Sequence, residues 1–272
     1  MSTRPANNSS KEPAEDSRVI VTTSWDDDDR SGLKLAEVLN SKGIPGTFYV
    51  PTGKLGDKSA LTPADLRMLA SAGFEIGGHT VSHAILTELG PTELTSEITR
   101  CKHKLESIMG RSVETFCYPR GRFNEEVIDV VKRAGYRGAR TTEMLATAAS
   151  FPAYEMPTTV QAYPHSKANY IRNLVRLRKA SSLVRSTPDL IRFESWLQLA
   201  KTAFDRVLSN GGIWHLYGHP WEIEKLNLWG DLVEILNYVR DHEKVVYATN
   251  AEVIEMVHGQ ASKGKVQSTV AS

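Results

Sequence analysis

The sequence predicts an α/β fold, an irregular (β/α) barrel of seven or eight parallel strands in a single domain. Short runs rich in β-branched and aromatic residues alternate along the chain with longer segments of helical periodicity. The length of 272 residues also fits one barrel unit. An open doubly wound sheet is the alternative. In both folds the residues that follow the strands lie at the functional edge.

The strands are predicted from short β-prone runs, of which Val19–Trp25 is the first. Further strands are expected at 47–50, 74–77, 114–118, 136–140, 158–162, 213–217 and 244–248. Helices are expected at 33–39, 63–72, 92–109, 124–134 and 227–242, and from 250 onward. Thr62, Pro63 and Asp65 supply an N-cap, a proline at the first helical position and an acid in the first turn.

Polar residues dominate both ends of the chain, so the single domain is expected at 19–258. Residues 1–18 and 259–272 are predicted to be disordered tails, since neither contains an apolar segment to bury. A basic helical insertion is predicted within the barrel at about 163–210.

The composition excludes several classes of protein. There are 33 Lys and Arg against 32 Asp and Glu, so no net field favours nucleic acid as a partner. Two cysteines cannot build a disulfide framework or a four-cysteine zinc site. No apolar run reaches the roughly 20 residues that span a bilayer. Because residues 1–18 contain no apolar leader segment, the chain is expected to be cytoplasmic.

Reactive residues follow three of the predicted strands. Asp26–Asp29 come directly after Trp25 and could hold a hard cation or accept a proton, although such a run is usually a solvated turn. His79 and His83 are spaced so that both imidazoles can reach one cation such as zinc, although one of them could be purely structural.

The third group is His215, Tyr217 and His219, near the end of a late strand. His215 and Tyr217 are interpreted as interior packing, whereas His219 lies just beyond the strand and could donate a proton. Two histidines and one carboxylate leave open positions on a bound metal, and such an ion lowers the pKa of a water ligand. The sequence therefore predicts an apparatus for hydrolysing a carbonyl compound.

In this order, the segments SWDD, IPGTFYVP, FEIGGHTVSH, FCYPRGRFN and HLYGHPWEI resemble the polysaccharide deacetylase family with NodB-like homology. The resemblance covers about Val19 to Val257. It implies an irregular (β/α) barrel and removal of N- or O-acetyl groups from sugars. It also implies a divalent metal, most often zinc, with cobalt, nickel, manganese or iron as alternatives.

The resemblance also implies roles for individual residues. Asp26 would be the general base and His219 the general acid, while the backbone N–H of Arg120 would bind the oxyanion. The ligand set that it implies is Asp27, His79 and His83. The substrate-binding residues that it suggests are Tyr118, Pro119, Trp221 and Arg140.

Three departures from the family pattern are visible. Asp28 stands where the family has glycine, and Asp tolerates unusual backbone angles better than most residues. Cys117 stands where the family has the arginine that orients the base, which leaves Arg140 or Arg122 for that task. Cys117 itself is interpreted as a small buried residue. The family's aspartate–tryptophan motif is not evident.

The resemblance implies that the protein is an N-deacetylase and that its substrate is an acetylated sugar or glycoconjugate. Between 156 and 188 the chain is basic and has no acidic residue. This stretch is either a solvated helix face or a cap for an anionic, nucleotide- or lipid-linked sugar. Its cations are Lys167, Arg172, Arg176, Arg178, Lys179 and Arg185. A cyclic amide or imide hydrolase and a non-catalytic glycan-binding protein are the alternative functions.

Overall fold

A computed structural model describes residues 18–172 and 193–266. Most of the predicted N-terminal tail, the last six residues and the centre of the predicted insertion lie outside these ranges. Four of the basic residues on which the anionic-substrate hypothesis depends fall in the part of the chain that is not described, namely Arg176, Arg178, Lys179 and Arg185.

The described part of the chain forms one sheet of eight parallel strands, which confirms the predicted α/β barrel class. The strands are β1 Val19–Asp26, β2 Thr47–Val50, β3 Glu75–Gly78, β4 Thr115–Cys117, β5 Gly138–Arg140, β6 Val160–Gln161, β7 Gly212–Gly218 and β8 Val245–Tyr247. Their order is β5-β4-β3-β2-β1-β7-β6, and β8 pairs with β1.

The barrel is irregular because two different strands, β8 and β2, share one edge of β1. One edge of β1 pairs with β7 from Val19 to Trp25. On the other edge, β8 pairs with Val19–Val21 and β2 pairs with Ser24–Asp26. The two outer strands of the order approach each other through one segment. Met156 bridges β5 at Arg140, and Val160–Gln161 of the same segment pair with β7.

The helices cover the outside of the sheet, as the alternating pattern predicts. They are α1 Ser31–Ser41, α2 Pro63–Ser71, α3 Pro91–Met109, α4 Glu125–Arg133, α5 Trp196–Asn210, α6 Pro220–Lys225, α7 Trp229–Val239 and α8 Asn250–Val266. Thr62 and Asp65 form the predicted capping box at the start of α2. Gly110, in the left-handed region at φ 65°, ends α3. None of the described helices combines the length and apolar character needed to cross a membrane.

Two parts of the predicted domain organisation, the insertion and the domain end, overlap observed helices. Residues 196–210, assigned to the insertion, form α5, whose backbone at Ala200 accepts a hydrogen bond of 2.9 Å from the buried indole of Trp214 in β7. This helix is therefore part of the barrel wall. The predicted domain end at 258 falls inside α8, which continues to Val266.

Buried polar side chains close the amino-terminal end of the barrel. Asn250, the first residue of α8, accepts a hydrogen bond from Thr22 and donates one to the hydroxyl of Tyr49, both at 2.9 Å. Glu75 accepts from the Thr47 hydroxyl at 2.7 Å and from the Ala251 backbone N–H at 2.9 Å. The reactive residues lie at the opposite end of the barrel, where the strands finish.

Candidate active site

Reactive side chains from five strands meet at the carboxyl end of the barrel. Asp26 ends β1 and Asp27 follows it, His79 follows β3, Cys117 ends β4, Arg140 ends β5 and His219 follows β7. Since parallel strands all finish at this end, residues far apart in sequence come within a few ångströms here.

Asp27, His79 and His83 form a cluster that could hold a metal ion. Each offers one ligand atom, and the three atoms lie within 4.8 Å of one another. Nε2 of His83 lies 3.7 Å from Oδ1 of Asp27, and the ring centroids of His79 and His83 are 4.8 Å apart. Two imidazoles and one carboxylate are the donor set of many catalytic zinc sites that retain open positions. The residues present therefore fit a divalent ion.

The cluster rests on unusual backbone conformations. Among the described residues, seven non-glycine residues have positive φ, and four of them lie at this site. They are Asp27 at 79°, Thr80 at 69°, His83 at 60° and Arg120 at 56°. These conformations turn the loop sharply after each strand and bring the ligand side chains together.

Two neighbouring segments hold the loop that carries both histidines. The backbone N–H groups of Thr52 and Gly53 donate to the carbonyls of Thr80 and Val81 at 3.1 and 2.7 Å. A Cβ at Gly53 would lie 2.7 Å from the Val81 carbonyl oxygen, so only glycine allows this approach. On the other side, Glu97 of α3 accepts hydrogen bonds from the backbone N–H groups of Val81 and Ser82.

The ligand side chains are also oriented by hydrogen bonds. Burial lowers the pKa of His79 to about 4, so its ring is neutral. The Nδ1 atom of His79 lies 2.8 Å from the carbonyl oxygen of Cys117, which can only accept, so Nε2 carries the free lone pair. The indole N–H of Trp221 donates to Oδ2 of Asp27 at 2.8 Å, which leaves Oδ1 facing His83.

Asp26 is buried beside a buried arginine. The guanidinium of Arg140 donates from Nη2 to Oδ1 of Asp26, and neither side chain has significant exposure. Burial alone would raise the pKa of Asp26, but the positive charge of Arg140 and the two nearby imidazoles hold this pKa below its ordinary value. Arg140 therefore keeps the carboxylate ionised and fixes its orientation.

The side chain of Arg140, which the resemblance suggests as a substrate-binding residue, is completely buried. Of the two arginines considered for orienting Asp26, Arg140 takes this position, and Arg122 is exposed. Cys117, which stands where the family has arginine, is the Cα partner of Arg140 in the β4–β5 pair. The guanidinium thus comes from the neighbouring strand. Cys117 is buried, as predicted, and burial raises the pKa of its thiol.

His219 faces Asp26 and is paired with an acid that sequence reasoning missed. Its Nε2 lies 3.9 Å from Oδ2 of Asp26, while its Nδ1 lies 2.7 Å from Oε2 of Glu222. Glu222 is held in turn by the amide of Gln161, at 3.1 Å. Burial acts to lower the pKa of His219, but Glu222 and the Asp26 and Asp27 charges outweigh it and raise this pKa above its ordinary value.

A signal for Glu222 is present in the sequence. His219 is the N-cap of α6, Pro220 is at the first helical position and Glu222 is the third helical residue. In a capping box, an acid at this third position reaches back to the N-cap residue. Here the carboxylate contacts the N-cap side chain instead.

The other predicted residues occupy varied environments. The side chains of Tyr118 and Pro119 are buried, and the Tyr118 hydroxyl donates to the carbonyl of Tyr154 at 3.0 Å. Their contact with substrate remains a prediction from the resemblance. Trp221 is partly buried and contacts Asp27, whereas Arg120 is exposed in the turn after β4.

His215 and Tyr217 are interior residues, as the sequence analysis interprets them. His215 is buried, and its ring nitrogens lie 2.8 Å from the Ser24 hydroxyl and 3.0 Å from the Pro157 carbonyl oxygen. Tyr217 is also buried, and its hydroxyl donates to Gln161.

Comparisons with known proteins relate part of the chain to one family. Residues 13–139 match the family model of the polysaccharide deacetylases. A Bacillus subtilis protein assigned to the polysaccharide deacetylases is 30% identical over 106 residues, which are 39% of this chain and 38% of the relative. A chitin deacetylase of Pestalotiopsis is 36% identical over 86 residues, 32% of this chain and 28% of the relative. The alignments thus span well under half of these relatives.

The fold is also found among solved structures. The crystal structure of a Mycobacterium smegmatis protein assigned to the polysaccharide deacetylases superimposes with a TM-score of 0.66. It covers 92% of this chain and 94% of that one, at 18% identity, a level at which the likeness shows the fold. With the sequence match over residues 13–139, these findings show that this part of the chain is similar to the polysaccharide deacetylases and that the chain has their fold.

Proposed function

We propose that this protein is a metal-dependent hydrolase that removes an N-acetyl group from a sugar or glycoconjugate. The observation that carries the proposal is the proximity of two sets of residues. The Asp27, His79 and His83 cluster, which fits a divalent ion, lies beside the facing pair of Asp26 and His219. The match of residues 13–139 to the family model of the polysaccharide deacetylases supports the same class of reaction on sugars.

The proposed ligands of the ion are Asp27, His79 and His83. Zinc best suits two imidazoles and a carboxylate, and cobalt, nickel, manganese or iron are the alternatives. A divalent ion bound there would polarise the acetyl carbonyl and lower the pKa of the attacking water. The hydrogen bonds of His79 to Cys117 and of Asp27 to Trp221 fix both ligands before the ion arrives.

Asp26 and His219 would then divide the proton transfers between them. Asp26, kept ionised by Arg140, accepts a proton from the water as its oxygen forms a bond to the acetyl carbon. His219, whose pKa is raised by Glu222 and Asp26, donates a proton to the amine nitrogen as the C–N bond breaks. The products are acetate and a free amine. The backbone N–H of Arg120 is the proposed donor to the oxyanion.

The proposal is tested by removing one ligand. His79→Ala is expected to lower the bound metal from about one ion per chain to near zero and to abolish acetate release from N-acetylated sugars. The measurements are metal analysis of the purified protein and an acetate assay. His103→Ala, on the exposed face of α3, is the matched control and should retain both. Full metal content and turnover in His79→Ala would contradict the ligand assignment.

The proposed acid gives a separate prediction. Glu222→Gln removes a negative charge that raises the pKa of His219, so His219 should lose its proton at lower pH. Because the protonated form is the donor, the basic limb of the kcat profile is expected to move to lower pH. The decrease in kcat at neutral pH should be smaller than the decrease of about 10²–10⁴-fold that a missing general acid causes.

The control for this variant is Glu224→Gln, two residues further along α6, where the carboxylate pairs with Lys34 on the surface. Its pH profile should match that of the unmodified protein. An unchanged basic limb in Glu222→Gln would show that the facing charges of Asp26 and Asp27 alone set the pKa of His219, or that His219 is not the acid.

A further inference from the structure

Cys117 belongs to a second group of potential metal ligands that the proposed mechanism does not use. Its Sγ lies 3.8 Å from Oδ2 of Asp26. With His79 these residues form a trio whose ligand atoms lie within 4.8 Å of one another. All three side chains are buried, at the ends of β1, β3 and β4. The trio shares only His79 with the Asp27, His79 and His83 cluster.

The donor chemistry of the two trios differs. Two imidazoles and a carboxylate suit zinc and other borderline ions, whereas a thiolate favours soft ions. We propose that Cys117, His79 and Asp26 form a second cation site, selective for thiophilic divalent ions such as Cd²⁺. Because both sites need the His79 side chain, an ion at Cys117 excludes an ion from the Asp27 cluster. It also occupies the carboxylate of Asp26.

The buried thiol is compatible with such a site. Burial raises the pKa of the Cys117 thiol, which favours its protonated form when no cation is near. When the ion binds, the S–H bond breaks, the metal–sulfur bond forms and the proton passes to the solvent. The cation then adds to the positive charge of Arg140 in stabilising the buried thiolate.

The test uses Cd²⁺ alone with the metal-free full-length chain. A thiolate bound to cadmium gives an ultraviolet charge-transfer absorption that nitrogen and oxygen ligands do not give. The unmodified protein is expected to develop this absorption with one equivalent of Cd²⁺, and Cys117→Ser is expected to lose it. Since the chain has two cysteines, Cys101→Ser isolates Cys117 and should keep the absorption.

His83→Ala separates the two sites, because it removes a ligand of the Asp27 cluster alone and should also keep the absorption. The proposal is overturned if the unmodified protein gives no absorption, if Cys117→Ser keeps it, or if Cys101→Ser or His83→Ala loses it. If Cys117→Ser does not fold, as judged by circular dichroism, the unmodified protein and Cys101→Ser still decide the question.

The effect on turnover rests on the proposed function and is measured separately. Cd²⁺ should lower acetate release of the zinc-loaded unmodified protein by about 10²-fold or more, because Asp26 can no longer act as a base. Cys117→Ser should resist this inhibition. If no acetate is released under any condition, the proposed function fails, while the absorption measurements still test the cation site.

Discussion

Replacing Asp26 with asparagine is expected to lower kcat for acetate release by about 10²–10⁴-fold while the protein keeps its bound metal. Asparagine has nearly the same shape as aspartate but cannot accept the proton of the attacking water. The three proposed ligands are untouched, so metal content should stay at about one ion per chain. The assay should be run well below the melting temperature of the variant, because Asp26→Asn also leaves Arg140 without its ion-pair partner.

The control lies in the same acidic run. Asp28→Asn changes a carboxylate that is outside both trios of potential metal ligands, and it should retain most of the activity. Comparing the two variants also tests the register of the Asp26–Asp29 run. If Asp28→Asn lost as much activity as Asp26→Asn, or if Asp26→Asn lost its metal, the division of roles between base and ligand would be wrong.

Replacing Arg140 with methionine is expected to lower the free energy of unfolding by about 3–5 kcal/mol, because it leaves the buried carboxylate of Asp26 unpaired. The guanidinium also lies over the rings of Tyr49 and Tyr217, at 5.2 and 4.9 Å from their centroids, and these contacts would be lost as well. Without the positive charge, the pKa of Asp26 should rise and the population of ionised base should fall. Urea denaturation and the pH profile of kcat measure the two effects.

Two comparisons identify the ion pair as the cause. Arg137→Met removes a surface arginine that pairs with Glu255 and should cost about 1 kcal/mol or less. The double variant Asp26→Asn with Arg140→Met leaves neither charge unpaired, so its loss of stability should be smaller than the sum of the two single losses. Additive losses would show that the pair contributes through packing alone.

The positions of the reactive residues could be predicted from sequence because they depend on local signals. Asp26, His79 and His219 each follow a run that is clearly β-prone, and parallel strands finish at one end of a barrel. The partners of these residues could not be predicted in the same way. Arg140 reaches Asp26 because β5 pairs with β4 in a register that places it beside Cys117, and such long-range register is not readable from one sequence.

The orientation of the suggested substrate-binding residues could not be predicted for a similar reason. Tyr118, Pro119 and Arg140 lie at strand ends, where the resemblance suggests contact with substrate. Whether a side chain at a strand end points into the barrel or out of its mouth depends on the local pleat and on neighbouring strands. The same uncertainty applied to Trp221, which contacts Asp27.

The positive φ values of Asp27, Thr80 and His83 have a consequence for the stability of the whole protein. Left-handed conformations cost about 1–3 kcal/mol each for residues other than glycine, and Thr80 is β-branched, which makes its conformation especially unfavourable. The loops that preorganise the ligands are therefore intrinsically strained. The free energy that keeps the candidate site in shape must come from the packed barrel beneath it, so destabilising the core far from the site should loosen the ligands before the protein unfolds.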